Sequence, residues 1–122
     1  MATLKIYEER DIVGHVRAME PIMQGGLKAL EDHPLVGNAR GVGLIAGVEL
    51  MADKASRTPF EPAAKAGFVV QDECQKAGII VRAIGDRIAF TPPLVITRPE
   101  IEEMLARFKT ALDAATPRLM PA

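Results

Sequence analysis

The chain has 122 residues, of which 48% are hydrophobic and 25% charged, a balance typical of one globular domain. Its 15 Lys and Arg against 16 Asp and Glu exclude the basic footprint of a nucleic-acid-binding protein. One cysteine and two histidines exclude a disulfide framework and a Cys/His metal site, and no apolar run is long enough for a bilayer. We therefore expect a single cytoplasmic domain over residues 1–122, with no nucleic-acid or membrane partner.

The first part of the chain carries helical periodicity. Apolar residues recur at helical spacing from about Leu4 to Asp32, which predicts an amphipathic helix. Pro21 removes a backbone hydrogen bond and clashes with the preceding turn, so we expect a kink or a break into two helices there. His33-Pro34 ends the helix, because the residue before a proline is pushed out of the helical region. The start lacks a cap, as though a longer helix had been cut.

The middle of the chain predicts two strands and a second helix. LVGNAR and LIAGVEL, joined by Gly41-Val42-Gly43, have the β-branched content and flanking glycines of strands. A polar loop over residues 51–60 follows them. Glu61-Pro62 then opens a helix with proline at its first position, and Gly78 is a typical left-handed residue at its end.

The last part predicts a hairpin and a final helix. IIVRAI and RIAF flank Gly85-Asp86, a two-residue type II′ turn that pairs Arg82 with Ala89 across the hairpin. Pro92-Pro93 cannot donate to a ladder, so the strand ends there or lies at an edge. Thr97 and Glu100 form a capping box for the last helix, and residues 116–122 are expected to be a frayed tail.

The element order is therefore α-β-β-α-β-β-α, an α+β fold with helices packed on a small antiparallel or mixed sheet. Gly41-Val42-Gly43-Leu44-Ile45-Ala46 matches a dinucleotide-binding fingerprint, but a strand rather than a phosphate-binding helix follows it. Cys74 is interpreted as an inert buried thiol, and the two histidines as a helix-surface residue, His15, and a helix-terminal one, His33. The adjacent acids of the chain are interpreted as solvated charge, because neighbours on a helix do not share a face: Asp72-Glu73 and Glu102-Glu103.

Arg82 is the strongest candidate for a binding residue, because it lies inside an otherwise apolar strand. One interpretation is an arginine at the sheet rim, with its stem on apolar surface and its head in water. The other is a guanidinium held for a carboxylate or phosphate, for which the planar fork is suited. Arg40, at the end of the first strand, carries the same ambiguity. No residue is predicted to be catalytic or to ligate a metal.

Three segments closely resemble, in order and spacing, the C-terminal small domain of class III aminotransferases. They are DHPLVGNARGVGLIAGVEL, KASRTPF and GIIVRAIGDRIAFTPPLVITRPEIEEML. The resemblance covers residues 4 to 115 and implies a pyridoxal-phosphate enzyme of fold type I. Such an enzyme transfers an amino group from an amine or ω-amino acid to a keto acid such as pyruvate.

The resemblance also implies a role for Arg82. Within VRAIGD it matches the mobile arginine of the ω-amino acid:pyruvate branch, which pairs with the substrate carboxylate and swings out for an uncharged group. The ornithine and acetylornithine branches instead carry an arginine where this chain has Ala89, which argues against those branches. An arginine from either position reaches the same volume, because the hairpin makes the two positions cross-strand neighbours.

The resemblance further implies a large domain upstream that holds the pyridoxal phosphate, and a homodimeric parent enzyme. The six lysines of this chain lie outside any motif that matches the Schiff-base lysine: Lys5, Lys28, Lys54, Lys65, Lys76 and Lys109. We therefore expect the isolated segment to bind no cofactor and to be inactive. The alternatives are a free-standing α+β module that binds a small carboxylate or a partner chain, and a nucleotide-binding oxidoreductase domain based on the glycine fingerprint.

Overall fold

In a computed structural model, which describes residues 2–120, the chain forms four α-helices and a four-stranded sheet. The helices are α1 (Ala2–Glu9), α2 (Ile12–Ala29), α3 (Ala66–Lys76) and α4 (Arg98–Leu119). The strands are β1 (Val36–Val42), β2 (Ile45–Leu50), β3 (Arg82–Ile84) and β4 (Arg87–Phe90). The predicted order and the α+β class are confirmed, with the first predicted helix divided in two.

The sheet has the strand order β1-β2-β4-β3 and is antiparallel throughout. Side chains alternate between its two faces: Ala46, Val48 and Leu50 of β2 are buried under the helices, whereas Gly47 and Glu49 point the other way. The buried face joins residues of α2, α3 and α4 in one core. The opposite face, which we call the open face, is not covered by any helix among the described residues.

Aromatic packing joins the sheet to α4 at the centre of this core. The rings of Phe90 and Phe108 meet edge to face, with centroids 4.8 Å apart and an interplanar angle of 82°. Phe108 is fully buried. In the edge-to-face arrangement the quadrupoles of the two rings attract each other, which stabilises the pair in addition to the burial of apolar surface. The result is a fixed angle between α4 and β4, the two elements that flank the loop described below.

The helix break predicted at Pro21 is wrong in position, since it falls at Asp11. Asp11 adopts a left-handed conformation with φ of 47°, and its carboxylate accepts a hydrogen bond from the N–H of Gly14 at 3.3 Å. Asp11 therefore caps α2, which runs on through Pro21. Proline is tolerated there because the carbonyl left without a donor, that of Arg17 one turn earlier, lies like Pro21 on the exposed side of α2 and can reach water.

Two other predicted boundaries also need correction. The helix expected from Glu61-Pro62 begins at Ala66, because Pro62–Ala64 closes a short 3-10 turn and Lys65 then adopts φ of 50°. The tail expected to fray from residue 116 is helical to Leu119. Ala115 is fully buried and Arg118 bonds the acids of α3, so the last turn is held by packing and charge. Residues 121–122 of that tail lie outside the described residues.

One residue in each edge strand has an outward-facing backbone group bonded to a side chain of a helical element. At β1, the N–H of Ala39 donates to the Glu31 carboxylate at 3.1 Å, and its carbonyl accepts from Lys28 at 3.2 Å. At β3, the N–H of Ala83 donates to the side-chain oxygen of Gln71 at 2.8 Å. Within residues 2–120, no helix is long and apolar enough to cross a membrane.

Candidate functional site

A concave pocket of about 410 Å³ lies where β3, β4 and the loop after β4 meet α4. Its lining is mostly apolar and includes Ile79, Val81, Pro93, Ile96 and Met104. Arg82 is the charged residue of this lining. An apolar cleft with a small number of polar groups is the usual form of a small-molecule site. We call it the Arg82 pocket.

Arg82 stands on edge strand β3, opposite Ala89 of β4, as the two-residue hairpin predicts. Gly85 has φ of 59° and Asp86 a negative φ, in agreement with a type II′ turn. The Arg82 side chain is exposed and forms no ion pair or hydrogen bond with any other residue of the described part. Its guanidinium is therefore available to a ligand, and the methyl group of Ala89 leaves space beside it.

Contacts from two helices hold β3 in place. Gln71 of α3 accepts the Ala83 N–H at 2.8 Å, one residue after Arg82. The Arg107 guanidinium of α4 donates to the carbonyl of Gly78 at 3.3 Å, at the start of the segment that leads into β3. The side-chain-free Gly67 of α3 lies directly against the carbonyl of Gly85 in the hairpin turn. The short strand that carries Arg82 is thus fixed from the helix side of the sheet.

The open face brings the two candidate arginines into one row. Arg40 pairs with Gly47, Gly47 with Ala89, and Ala89 with Arg82, each on a neighbouring strand. Three strand spacings put the two arginine backbones roughly 14 Å apart. Between them lie Gly47 and Ala89, so the row carries no large side chain between the two arginines. Arg40 and Arg82 are separate candidates in the sequence, whereas the sheet order, which is not predicted from the sequence, places them at the two ends of one cross-strand row.

The other wall of the Arg82 pocket is residues 91–96, between β4 and α4. The Nε2 atom of His15, on α2, lies 2.7 Å from the carbonyl oxygen of Ile96. The sequence predicts His15 as a helix-surface residue and does not predict this contact. The two residues are 81 positions apart and share no local motif, so no sequence signal links them.

The remaining candidates take structural roles. Cys74 is fully buried, and burial raises the pKa of its thiol to about 12, with a further contribution from the Glu73 charge. Hydrogen bonds from Lys76 and then Arg118 lower the pKa of the Asp72 carboxyl, which is an exposed ion-pair member rather than an acid/base group. His33 accepts the Leu35 N–H at Nδ1, so its Nε2 donates to Asp113 at 2.9 Å.

The glycine fingerprint forms a hairpin rather than a dinucleotide site. Gly41 and Val42 belong to β1, Gly43 turns the chain with φ of 61°, and β2 follows from Ile45. The Gly43 N–H, which would face a phosphate at a helix start, instead donates to the Glu20 carboxylate at 2.5 Å. The nucleotide-binding oxidoreductase alternative is therefore wrong, because a strand rather than a helix follows the glycines and the Gly43 N–H already bonds a carboxylate.

The family model of class III aminotransferases matches residues 1–112. Gamma-aminobutyrate transaminase 1, mitochondrial, of Oryza sativa subsp. indica is 43% identical over 116 residues, which is 95% of this chain and 22% of the relative. The chloroplastic gamma aminobutyrate transaminase 3 of Solanum lycopersicum is 39% identical over 112 residues, covering 92% of this chain and 22% of the relative.

Solved structures agree with these relatives. A thermostable omega transaminase six-fold mutant from Pseudomonas jessenii superposes with a TM-score of 0.91 at 42% identity, over 97% of this chain and 26% of that one. The omega transaminase of Pseudomonas jessenii in complex with PMP has a TM-score of 0.90 at 41% identity, over 98% and 26%. The domain is an aminotransferase small domain in its fold. The chain belongs to the class III aminotransferase family, and it spans about a quarter of the length of these relatives.

Class III aminotransferases use pyridoxal phosphate. The residues described around the Arg82 pocket do not fit a covalently held cofactor, because no lysine is among them. Several lysines elsewhere bond the protein itself: Lys54 with the carbonyl oxygens of Glu31 and His33, Lys28 with Glu31, Lys76 with Asp72, and Lys109 with Asp113. What the pocket offers a ligand is one guanidinium and an apolar lining.

Proposed function

We propose that this chain is the substrate-side domain of a pyridoxal-phosphate-dependent aminotransferase. The complete enzyme transfers an amino group from an amine or ω-amino acid to a keto acid such as pyruvate. The observation that carries the proposal is Arg82, an arginine without an acidic partner in residues 2–120 at the rim of an apolar pocket. Family membership supports the type of reaction, and Arg82 supports a keto acid as the substrate that receives the amino group.

The Arg82 pocket suits the two substrates of such an enzyme. A guanidinium forms two parallel hydrogen bonds with a carboxylate, so Arg82 would hold the keto acid in one orientation. The apolar lining from Pro93 and Ile96 would take the uncharged body of an amine, which has no carboxylate to offer. An exposed arginine on an edge strand can move aside at low cost, because no described partner has to be released.

The cofactor, in this proposal, is held by a larger domain that lies outside this chain. The same domain would be the immediate partner of the 122 residues, and two copies of the whole enzyme would form a homodimer. The isolated chain is then inactive. With one equivalent of pyridoxal phosphate, borohydride reduction should label the exposed lysines of the isolated chain only weakly and without preference among them, and selective trapping on one lysine would contradict the proposal.

The experiment that tests Arg82 uses the complete enzyme and two substrates. Arg82→Ala should raise the KM for pyruvate roughly 10- to 100-fold, which is the loss expected for a hydrogen bond between charged groups. The KM for an arylalkyl amine without a carboxylate should change less than about threefold. Arg87→Ala is the matched control, since it removes the same side chain from the same open face but outside the Arg82 pocket.

A second variant tests the geometry rather than the residue. Arg82→Ala combined with Ala89→Arg moves the guanidinium to the cross-strand neighbour, from which it reaches the same volume. The KM for pyruvate should recover part of the loss seen with Arg82→Ala alone. Equal effects of Arg82→Ala on pyruvate and on the amine would contradict a carboxylate-binding role.

A further inference from the structure

The loop between β4 and α4 has few bonds of its own. Pro92 and Pro93 have no N–H to donate, and the hydrogen bond within residues 91–96 is from the Ile96 N–H to the Pro93 carbonyl at 3.1 Å. Thr91, Pro93, Leu94 and Val95 are exposed. A segment with so little backbone bonding and burial has low local stability. Besides the packing of Ile96 against the core, its position depends on contacts from other elements.

His15 supplies that contact. Its Nε2 lies 2.7 Å from the Ile96 carbonyl oxygen, in a partly buried position on α2. Among residues 2–120, this is the hydrogen bond that ties segment 91–96 to another element. A carbonyl oxygen only accepts, so Nε2 must carry the proton. His15 is therefore the donor of this hydrogen bond and the Ile96 carbonyl the acceptor.

The anchored segment is also the apolar wall of the Arg82 pocket. Pro92, Pro93 and Ile96 line it, whereas His15 does not. A shift of the Ile96 carbonyl away from His15 would move this wall relative to Arg82, which is held independently through Gln71. The two sides of the pocket therefore have separate supports, one on α3 and one on α2.

We propose that His15 is a positioning residue that sets the apolar wall of the substrate pocket through its hydrogen bond to Ile96. It determines how well the uncharged body of the amine fits, while Arg82 binds the keto acid. The inference rests on the proposed function of the Arg82 pocket and adds a specificity determinant on a different helix. His15 itself touches neither substrate.

The test compares three variants of the complete holoenzyme. His15→Leu removes the donor and keeps an apolar side chain, and His15→Gln keeps an N–H donor near the Nε2 position. His33→Gln is the control, because it disturbs the other histidine, whose partner Asp113 lies away from the pocket. His15→Leu should raise the KM for an arylalkyl amine roughly three- to tenfold, with kcat within about twofold.

Rescue and control make this result specific to the contact. His15→Gln should return the KM for the amine to within about twofold of the wild-type value, and His33→Gln should leave it unchanged. Failure of the rescue, or an equal rise in the control, would overturn the positioning role, since general destabilisation would then explain the data.

Amide exchange followed by mass spectrometry gives a readout that needs no activity. The peptide over residues 94–100 should exchange several-fold faster in His15→Leu than in the wild type, and at the wild-type rate in His33→Gln. Unchanged exchange in His15→Leu would overturn the anchoring. A wild-type enzyme without aminotransferase activity would overturn the proposed function, and the exchange result would still decide whether His15 holds the wall.

Discussion

Gly67→Ala should destabilise the fold, although alanine is the better helix former. Gly67 is the second residue of α3 and is buried. A Cβ added there overlaps the Gly85 carbonyl oxygen and lies 3.1 Å from its carbonyl carbon and 3.4 Å from the Ala83 Cβ. The hairpin turn must retreat by about 1 Å or more, and overpacking against backbone costs about 1–3 kcal/mol. Helix propensity returns at most about 1 kcal/mol, so we expect a net loss.

Gly25→Ala is the matched control for this substitution. Gly25 lies within α2, and nothing lies within 4 Å of the position of an added Cβ. The same change should therefore stabilise the chain by about 0.5–1 kcal/mol. The free energy of unfolding of both variants is measured by urea titration, followed by circular dichroism. A Gly67→Ala chain as stable as the wild type would refute the close approach of α3 to the hairpin turn.

Two further predictions concern side chains away from the Arg82 pocket. Cys74 should resist a thiol reagent at pH 8 in the folded chain and react in urea, because burial raises its pKa to about 12; rapid labelling without denaturant would contradict this. Arg118 lowers the pKa of the Glu73 carboxyl, so this pair stabilises the fold above the unfolded pKa of about 4 and loses that contribution as pH falls through the folded value. Arg118→Met should therefore lower the urea midpoint at pH 7 more than at pH 3, and an equal change at both would count against the ion pair.

The parts of the fold that local chemistry determines could be predicted from the sequence. The hairpin at Gly85-Asp86 follows from one glycine and a two-residue turn, and its register then pairs Arg82 with Ala89. The Glu100 carboxylate accepts from the N–H of Thr97 at 3.0 Å, as the capping box predicts. These features depend on residues close together in the chain, so no tertiary information is needed.

Helix boundaries were harder, because they depend on unusual backbone states. Asp11 and Lys65 are non-glycine residues in the left-handed region, which is uncommon and has no strong sequence signature. The Asp11 side chain offsets part of the cost by bonding Gly14. Pro21 gave the more familiar signal for a break, yet an exposed proline can be accommodated within a helix whose other face is packed.

Only the local part of the candidate site can be predicted from the sequence, because its other contacts join residues far apart in the chain. Arg82 is identified as a candidate binding residue because it interrupts an apolar strand, and the two-residue hairpin predicts that it pairs with Ala89. The hydrogen bonds that hold the two sides of the pocket are not predicted from the sequence. Gln71 of α3 bonds β3, and His15 bonds Ile96, which is 81 residues away in the chain. Such contacts join side chains to backbone groups that look ordinary in sequence, and only the packing of helices on the sheet brings them together.

The bonds at the two outer strands have a consequence for solubility. A sheet edge with free N–H and C=O groups is a template for another chain, and proteins that leave it open are prone to fibre formation. Here Glu31 and Lys28 bond the N–H and carbonyl of Ala39 at one edge, and Gln71 bonds the N–H of Ala83 at the other. A strand from a second molecule would have to displace these side chains first. At Ala39 and Ala83, the two edges of the sheet are thus less accessible to amyloid-like strand addition.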